Sequence, residues 1–251
     1  MVYNLDVFDL VKEIPDNSID LLLTDPPYNM SKEYWDKFDS HESFLDFTYR
    51  WIEACLPKLK KNASIYIFNN PFNTAFILKF LYDKKLYYKN TIIWHKKDGF
   101  SASNKRFVQN QEQIVFFTKS EKDYTFNADS VREPYESSAR IEAAKTKGII
   151  KNGKRWFPNE NGRLCTDVWN FTSERHKNKV NGKLVKMKHV TPKPKDLIER
   201  IILASSNEGD IVLDPFGGLG TTAIVAKKLN RNYIINDFDV ENFNLIKKNL
   251  S

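Results

Sequence analysis

The sequence predicts an α/β protein: a mainly parallel sheet with helices on both faces. Three observations carry that reading. Short β-branched and aromatic runs alternate with stretches of helical apolar spacing. Two of those runs end in turn-forming motifs, DPPY at 25–28 and DPFGGLGT at 214–221. One basic stretch interrupts the alternation.

The elements follow in order. Ile19–Thr24 (IDLLLT) and Ala63–Phe68 (ASIYIF) read as strands, rich in residues that pack on a pleated surface. Between them, Ser43–Leu56 sets Phe44, Phe47, Trp51, Ile52 and Cys55 at helical spacing. Asn73–Tyr82 reads as a helix, and Asn90–Trp94 and Gln113–Thr118 as strands. Pro194 suits the first turn of a helix, where its missing N–H leaves nothing unsatisfied. That helix runs to about Ser205, with Leu197, Ile198, Ile201 and Ile202 on one face. Ile211–Asp214, Thr221–Leu229, Tyr233–Asn236 and Val240–Asn249 complete a strand, helix, strand, helix series.

At 251 residues, 41% hydrophobic and 28% charged, the chain makes one large domain or one domain with an insertion. No apolar run approaches the ~20 residues of a membrane span. The start, MVYNLDVFDL, lacks the basic-then-apolar pattern of a secretory signal. Two cysteines, Cys55 and Cys165, make neither a disulfide scaffold nor a cysteine-rich zinc site and suit a reducing cytoplasm. His41, His95, His176 and His189 show no metal-ligand spacing, so no metal is expected.

The net charge of +7 is concentrated: residues 131–188 hold 14 Lys and Arg against 6 Asp and Glu. Asn152-Gly153, Asn161-Gly162 and Asn181-Gly182 are tight-turn signals, because both residue types tolerate positive φ. Trp156, Phe157, Trp169 and Phe171 interleave with the bases, so the segment reads as short strands and loops. A basic insertion in a near-neutral body fits contact with a polyanion; a solvated surface without a partner gives the same charge.

Glycine is scarce, nine in all, yet Gly217, Gly218 and Gly220 fall together between a strand and a helix. That context lets a nucleotide-like ligand approach the backbone at a sheet's carboxyl edge, where a Cβ would obstruct it. The spacing matches neither GxxxxGK[ST] nor GxGxxG. Asp237, 23 residues after Asp214 and at the end of the next strand, is placed to accept hydrogen bonds from ribose hydroxyls. A tight turn with no ligand is the plainer alternative.

In LLLTDPPYNM a buried strand runs straight into Asp25-Pro26-Pro27-Tyr28. The two prolines remove two backbone donors. The Asp25 carboxylate and the carbonyls of Asp25 and Pro26 remain as acceptors, with Tyr28 as a planar face. Such a turn suits a planar ligand with an exocyclic amino group, and suits a phosphate badly. An ordinary Pro-Pro turn with a surface aromatic would look alike. The following stretch, NMSKEYWDKF with Trp35, reads as a loop that closes over substrate or as a plain surface loop.

Together the two motifs resemble those of S-adenosylmethionine-dependent DNA amino-methyltransferases. DPPY first, glycine loop last and a recognition segment between is similar to the β class of restriction–modification systems. DVFDLVKEIPDNSIDLLLTDPPY, NTIIWHKKDG, QNQEQIVFFTK and HVTPKPKDLIERII also resemble that class, in order, over residues 1–127 and 189–251. The chain departs from it at Pro192, often Gln, and at Ile235-Asn236, often Gly-Ile.

The resemblance implies a circularly permuted Rossmann-like methyltransferase fold. Residues 1–127 form the catalytic part, 128–188 the DNA target-recognition insertion and 189–251 the cofactor-binding part. It implies a catalytic turn of Asp25, Pro26, Pro27 and Tyr28. S-adenosylmethionine would lie against Asp6, Asp25, Lys193, Asp214, Phe216, Gly217, Gly218, Gly220, Thr221 and Asp237. Double-stranded DNA is the implied substrate, contacted by Lys145, Lys147, Lys151, Arg155, Arg163 and Arg175. A homodimer, a companion restriction endonuclease and a cytoplasmic location complete the expectation.

The expected reaction is methyl transfer to N6 of adenine, flipped out of the duplex because the amino group is buried in the stack. N4 of cytosine presents the same amino geometry, though that subgroup more often carries Ser where Asp25 stands. C5 of cytosine needs a Cys nucleophile, usually after Pro; Cys55 follows Ala54 and Cys165 follows Leu164. A non-catalytic relative would be expected to lose one of the two motifs. RNA and protein methyltransferases usually read Asn-Pro-Pro-Tyr, placed after the glycine loop.

Overall fold

The structure, a computed structural model, describes residues 1–30, 36–96, 105–173, 177–180, 183–186 and 192–251. Arg175, His176, His189, Trp35 and the Asn181-Gly182 turn lie outside the described residues.

The elements are β1 (Val2–Tyr3), α1 (Val7–Glu13), β2 (Ile19–Thr24), α2 (His41–Cys55), β3 (Leu59–Asn69), α3 (Pro71–Asp83), β4 (Tyr87–His95) and β5 (Gln111–Thr118). Then come β6 (Arg132–Glu133), α4 (Ser138–Lys147), β7 (Ile149–Lys151), β8 (Lys154–Trp156), β9 (Arg163–Leu164), β10 (Val168–Asn170), β11 (Lys177–Val180) and β12 (Lys183–Lys186). The chain closes with α5 (Lys195–Ser205), β13 (Ile211–Asp214), α6 (Thr221–Lys228), β14 (Asn232–Asn236) and α7 (Val240–Leu250).

One sheet organises them, in the order β1-β14-β13-β2-β3-β5-β4-β10. Every neighbouring pair is parallel except those made by β5, which runs against β3 and β4. Parallel strands need covered faces, and their sequences are near-continuous apolar runs. In β2, Leu22 packs with α1, α2 and α3, while Leu21 and Leu23 pack on the other side with α5 and α6. Trp51, Ile52, Ile77 and Leu81 cover the first face; Leu197, Ile198, Ile201, Ile202 and Val225 cover the second. The expected α/β architecture with helices on both faces is the one present.

Local signals account for the helix starts. Ser40 and Ser43 close a capping box at α2, and Asn70 caps α3 ahead of Pro71. Pro194 sits one residue earlier than expected, at the N-cap of α5. The sequence reading left residues 1–14 unassigned; they hold β1 and α1, the latter capped by Asp6.

One feature of the basic insertion differs from expectation: it contains a ten-residue helix, α4, of which, among the described residues, only Ala144 is buried, so no apolar stripe announced it. The later part of the insertion joins the main sheet. The β10 strand pairs parallel with β4, and Trp169 is buried in the second core. Arg200 of α5 lies over the Trp169 and Phe171 rings and pairs with Glu133 at 2.8 Å. Among the described residues, no helix is long and apolar enough to cross a membrane.

Candidate active site

From β13 the chain moves outward through α6 to β14, and from β2 it moves the other way through α2 to β3. Strand order reverses between β13 and β2, the position where open α/β sheets bind ligands at their carboxyl ends. DPPY leaves β2 at that edge, and the glycine loop leaves β13 beside it. The Thr24 hydroxyl donates to Asp214 Oδ1 at 2.7 Å, tying the two strand ends together. Asp214 is buried, and its carboxylate also takes the Phe216 N–H at 3.2 Å, so it holds the loop rather than facing outward. Burial, opposed by hydrogen bonds from Thr222, Thr24 and Phe216, pushes its carboxyl up to about 6.

The glycines differ from one another. A Cβ on Gly217 would stand 2.4 Å from Ile235 Cγ1, so this glycine allows the loop to lie against β14. Gly218, at φ +54°, faces space with no protein atom within 4 Å of where a Cβ would be. Gly220, at φ +83°, forms the N-cap of α6, which begins at Thr221. The Gly218 N–H donates to Asp237 Oδ2 at 2.8 Å, bringing the acid at the end of β14 to the loop. Asp237 Oδ1 accepts from Asp239 N at 2.9 Å and Asn242 Nδ2 at 3.2 Å, and burial raises this carboxyl. Asn236, where the class often has Ile, has a use: its amide side chain joins Leu5 to Pro215 O, locking the turn after β1 to the loop. Asp6 follows in that turn. Phe216 points inward, edge-on to Trp51 at 5.2 Å. Open space over Gly218, with Asp237 held at its N–H, fits a nucleoside laid along the loop.

The DPPY turn is closed by contrast. Pro26 and Pro27 are buried, and Asp25 and Tyr28 are half-buried. The Tyr28 hydroxyl donates to Asp25 Oδ1 at 2.7 Å and lies 3.1 Å from Glu112 Oε2. Tyr28 is therefore directed inward by its hydroxyl, unlike a simple surface aromatic. Lys193, expected among the cofactor contacts, gives its ammonium to Asp25 Oδ2 at 2.5 Å and Glu112 Oε2 at 3.2 Å. Lys96 pairs with the other oxygen of Glu112.

The electrostatics follow from this packing. Burial is the largest influence on Asp25 and raises its carboxyl; Lys193 pulls it back and Glu112 raises it again. Burial would raise Glu112 too, but Lys193 and Lys96 hold it down to about 2. Burial works against the Lys193 ammonium, and the two carboxylates outweigh it. Burial and both carboxylates push the Tyr28 phenol well above its ordinary value.

Sequence reasoning missed Glu112, Lys96, Asp36 and Asn73. Asp36, buried, takes the N–H groups of Tyr28, Asn29 and Met30 at 2.6, 2.7 and 2.8 Å. Asn73 donates to the Tyr28 carbonyl at 2.8 Å. The polar cluster QNQE at the start of β5 was the available signal for Glu112: charged residues opening a buried strand need partners.

The expected DNA contacts behave unequally. Lys145 pairs with Glu142, while Lys147 and Lys151 are exposed. Arg155 donates to Lys147 O at 2.9 Å, and Arg163 pairs with Glu136 at 2.6 Å, so both guanidiniums already bind the insertion itself. Among the described residues, no group of three or more His, Cys, Asp or Glu is placed to hold a metal ion.

A DNA methylase family pattern matches residues 19–248, a span that takes in both motifs and everything between. The chain belongs to the DNA methylase family. This DNA methylase is 57% identical to the Type II methyltransferase M1.MboII of Moraxella bovis, over 97% of this chain and 93% of the relative. It is 37% identical to M.HpaI of Haemophilus parainfluenzae, over 96% and 70%. The crystal structure of the M1.HpyAVI–SAM complex superposes on the methylase with a TM-score of 0.64 and 27% identity, covering 99% of this chain and 98% of that one. The cytosine-N4-specific PvuII methyltransferase shares the fold, with a TM-score of 0.74 at 17% identity over 100% and 86%.

Proposed function

We propose that this DNA methyltransferase, of the restriction–modification kind, modifies N6 of a flipped-out adenine within a specific site in double-stranded DNA. The observation that carries the choice of adenine is a carboxylate, Asp25, at the head of the turn. S-adenosylmethionine is the cofactor, supplying a methyl group on a sulfonium centre. Gly217, Gly218, Gly220, Thr221, Asp237 and Asp6 would hold it, supported by the open space over Gly218.

Asp25 and the Pro26 carbonyl accept the two amino hydrogens, which draws the nitrogen lone pair out of conjugation with the ring. Each carboxylate oxygen of Asp25 has a second lone pair beside its bond to Tyr28 or Lys193. Tyr28 offers a ring face to the flipped base; stacking returns about 1–3 kcal/mol toward the cost of extrusion. The rest is positioning in a water-poor turn.

Residues 128–188 read the DNA, with Lys145, Lys147 and Lys151 on phosphates and Arg155, Arg163 or Arg175 on base edges, Arg155 and Arg163 exchanging their contacts with Lys147 O and Glu136 for the DNA. Residues 1–127 and 189–251 provide catalysis and cofactor binding. The enzyme acts in the cytoplasm as a homodimer beside a companion endonuclease. The test is nucleoside analysis of DNA from an expressing host otherwise free of DNA methylation. N6-methyladenine is expected; N4-methylcytosine alone overturns the choice of base, and neither product overturns the reading.

A further inference from the structure

We propose that Glu112 is a positioning residue for the catalytic turn: it shares the Lys193 ammonium with Asp25, so that Asp25 meets the target amino group as an available acceptor. The proposal rests on the reading of Asp25 as that acceptor.

Glu112 is the second residue of β5. Because β5 runs antiparallel to β3 and β4, its first residues lie at the edge where the other strands end. The side chain is only 14% exposed and Lys193 11%, whereas Asp25 keeps 26%. The pair sits behind the catalytic carboxylate, which remains the more accessible of the three. Among the described residues, the side-chain partners of Glu112 are ionic or a hydroxyl: Lys96 on Oε1, Lys193 and Tyr28 on Oε2. Burying that many charges is costly unless the set balances. Here it does, two ammoniums against two carboxylates.

The balance bears on the reaction. Positive charge develops on the target nitrogen during transfer, in surroundings where charges are poorly screened. A lysine beside Asp25 with no second counter-ion would repel that charge and draw the carboxylate away from the amino hydrogens. Glu112 removes both effects. It also gives Tyr28 a second anchor, fixing the ring relative to Asp25. Among the described residues, the groups that face Asp25 are Lys193 from the segment before α5, Glu112 from β5, Tyr28 from its own turn and Asp214 from the end of β13; Lys96, at the end of β4, acts through Glu112.

The experiment measures pre-steady-state incorporation of labelled methyl from S-adenosylmethionine into DNA from a methylation-free host, across pH. Glu112→Gln is expected to slow transfer roughly 10–100-fold with unchanged cofactor affinity. Losing a like charge near Asp25 moves the acid limb of the profile to lower pH. Lys193→Met, losing the cation, moves it to higher pH, and Lys193→Arg brings it back toward the wild type. An Asp25→Ala enzyme, which has no side-chain acceptor, that still turns over removes the underlying reading of Asp25. With Asp25→Ala inert, the positioning role is overturned if Glu112→Gln matches the wild type, slows without moving the acid limb, or shifts it in the same direction as Lys193→Met. If Glu112→Gln fails to fold, the Lys193 pair decides: identical acid limbs in the Met and Arg enzymes overturn the proposal.

Discussion

Strands β2 and β13 are neighbours, run parallel and lie in the middle of the sheet, yet their carboxyl ends are built in opposite ways. After β2, two buried prolines, an ion-paired aspartate and a tyrosine make a crowded turn rich in acceptors. After β13, glycines at φ +54° and +83° make a loop that faces open space and holds an acid by a backbone N–H. Proline removes donors and fixes φ; glycine admits left-handed backbone and close approach. One edge of one sheet thereby presents two chemistries side by side, one suited to an amino group and the other to a nucleoside.

The largest effect should come from breaking the first turn alone. Asp25→Ala is expected to reduce transfer by about 10²–10⁴-fold while calorimetric affinity for S-adenosylmethionine stays near that of the wild type. A weakened cofactor affinity of similar size would show that the two loops are not separable. Asp237→Ala breaks the second loop alone. Losing charge-assisted hydrogen bonds worth about 1.5–3 kcal/mol should raise the cofactor Kd roughly 10–100-fold, with the rate recovering at saturating cofactor.

A third change should spare both loops. Neutralising Lys145, Lys147 and Lys151 together is expected to weaken binding to cognate and scrambled duplexes alike. The salt dependence should flatten by about 0.9 in log K per lost phosphate contact. An unaltered salt titration would make the charge of residues 131–188 a solvated surface.

The glycine loop can be sharpened further. A Cβ at Gly218 meets no protein atom, so Gly218→Val strains a left-handed backbone by about 1–2 kcal/mol and projects into the open space, and cofactor affinity should drop. Gly217→Ala meets Ile235 and should lower the melting temperature instead. The smallest effect concerns Asp214. Its folded carboxyl titrates at about 6, above the unfolded value, so the stability it contributes is present at low pH and lost as pH rises through about 6. Asp214→Asn keeps an acceptor for Thr24 and Phe216 without the charge. It should gain on the wild type in thermal melts between pH 5 and 8, and equal differences at both ends would contradict the assignment.

Much of this was legible in advance. Ile19–Thr24 and Ile211–Asp214 were readable to the residue, because strands buried on both faces are continuous apolar runs. The paired motifs were readable because their chemistry lies in adjacent residues. Segments with weak patterns escaped: α1, with seven residues, and α4, with almost nothing to bury.

The sequence by itself determined the order of the two motifs, the α/β alternation and the basic insertion, all properties of neighbouring residues. Only the tertiary structure decided what surrounds Asp25. Lys193 is 168 positions away from it, and Glu112 lies 84 from Tyr28. They meet because an antiparallel strand brings its first residues to the edge where parallel strands end, and no local pattern encodes that reversal. Buried charges then settle on one another, since water is no longer there to take them.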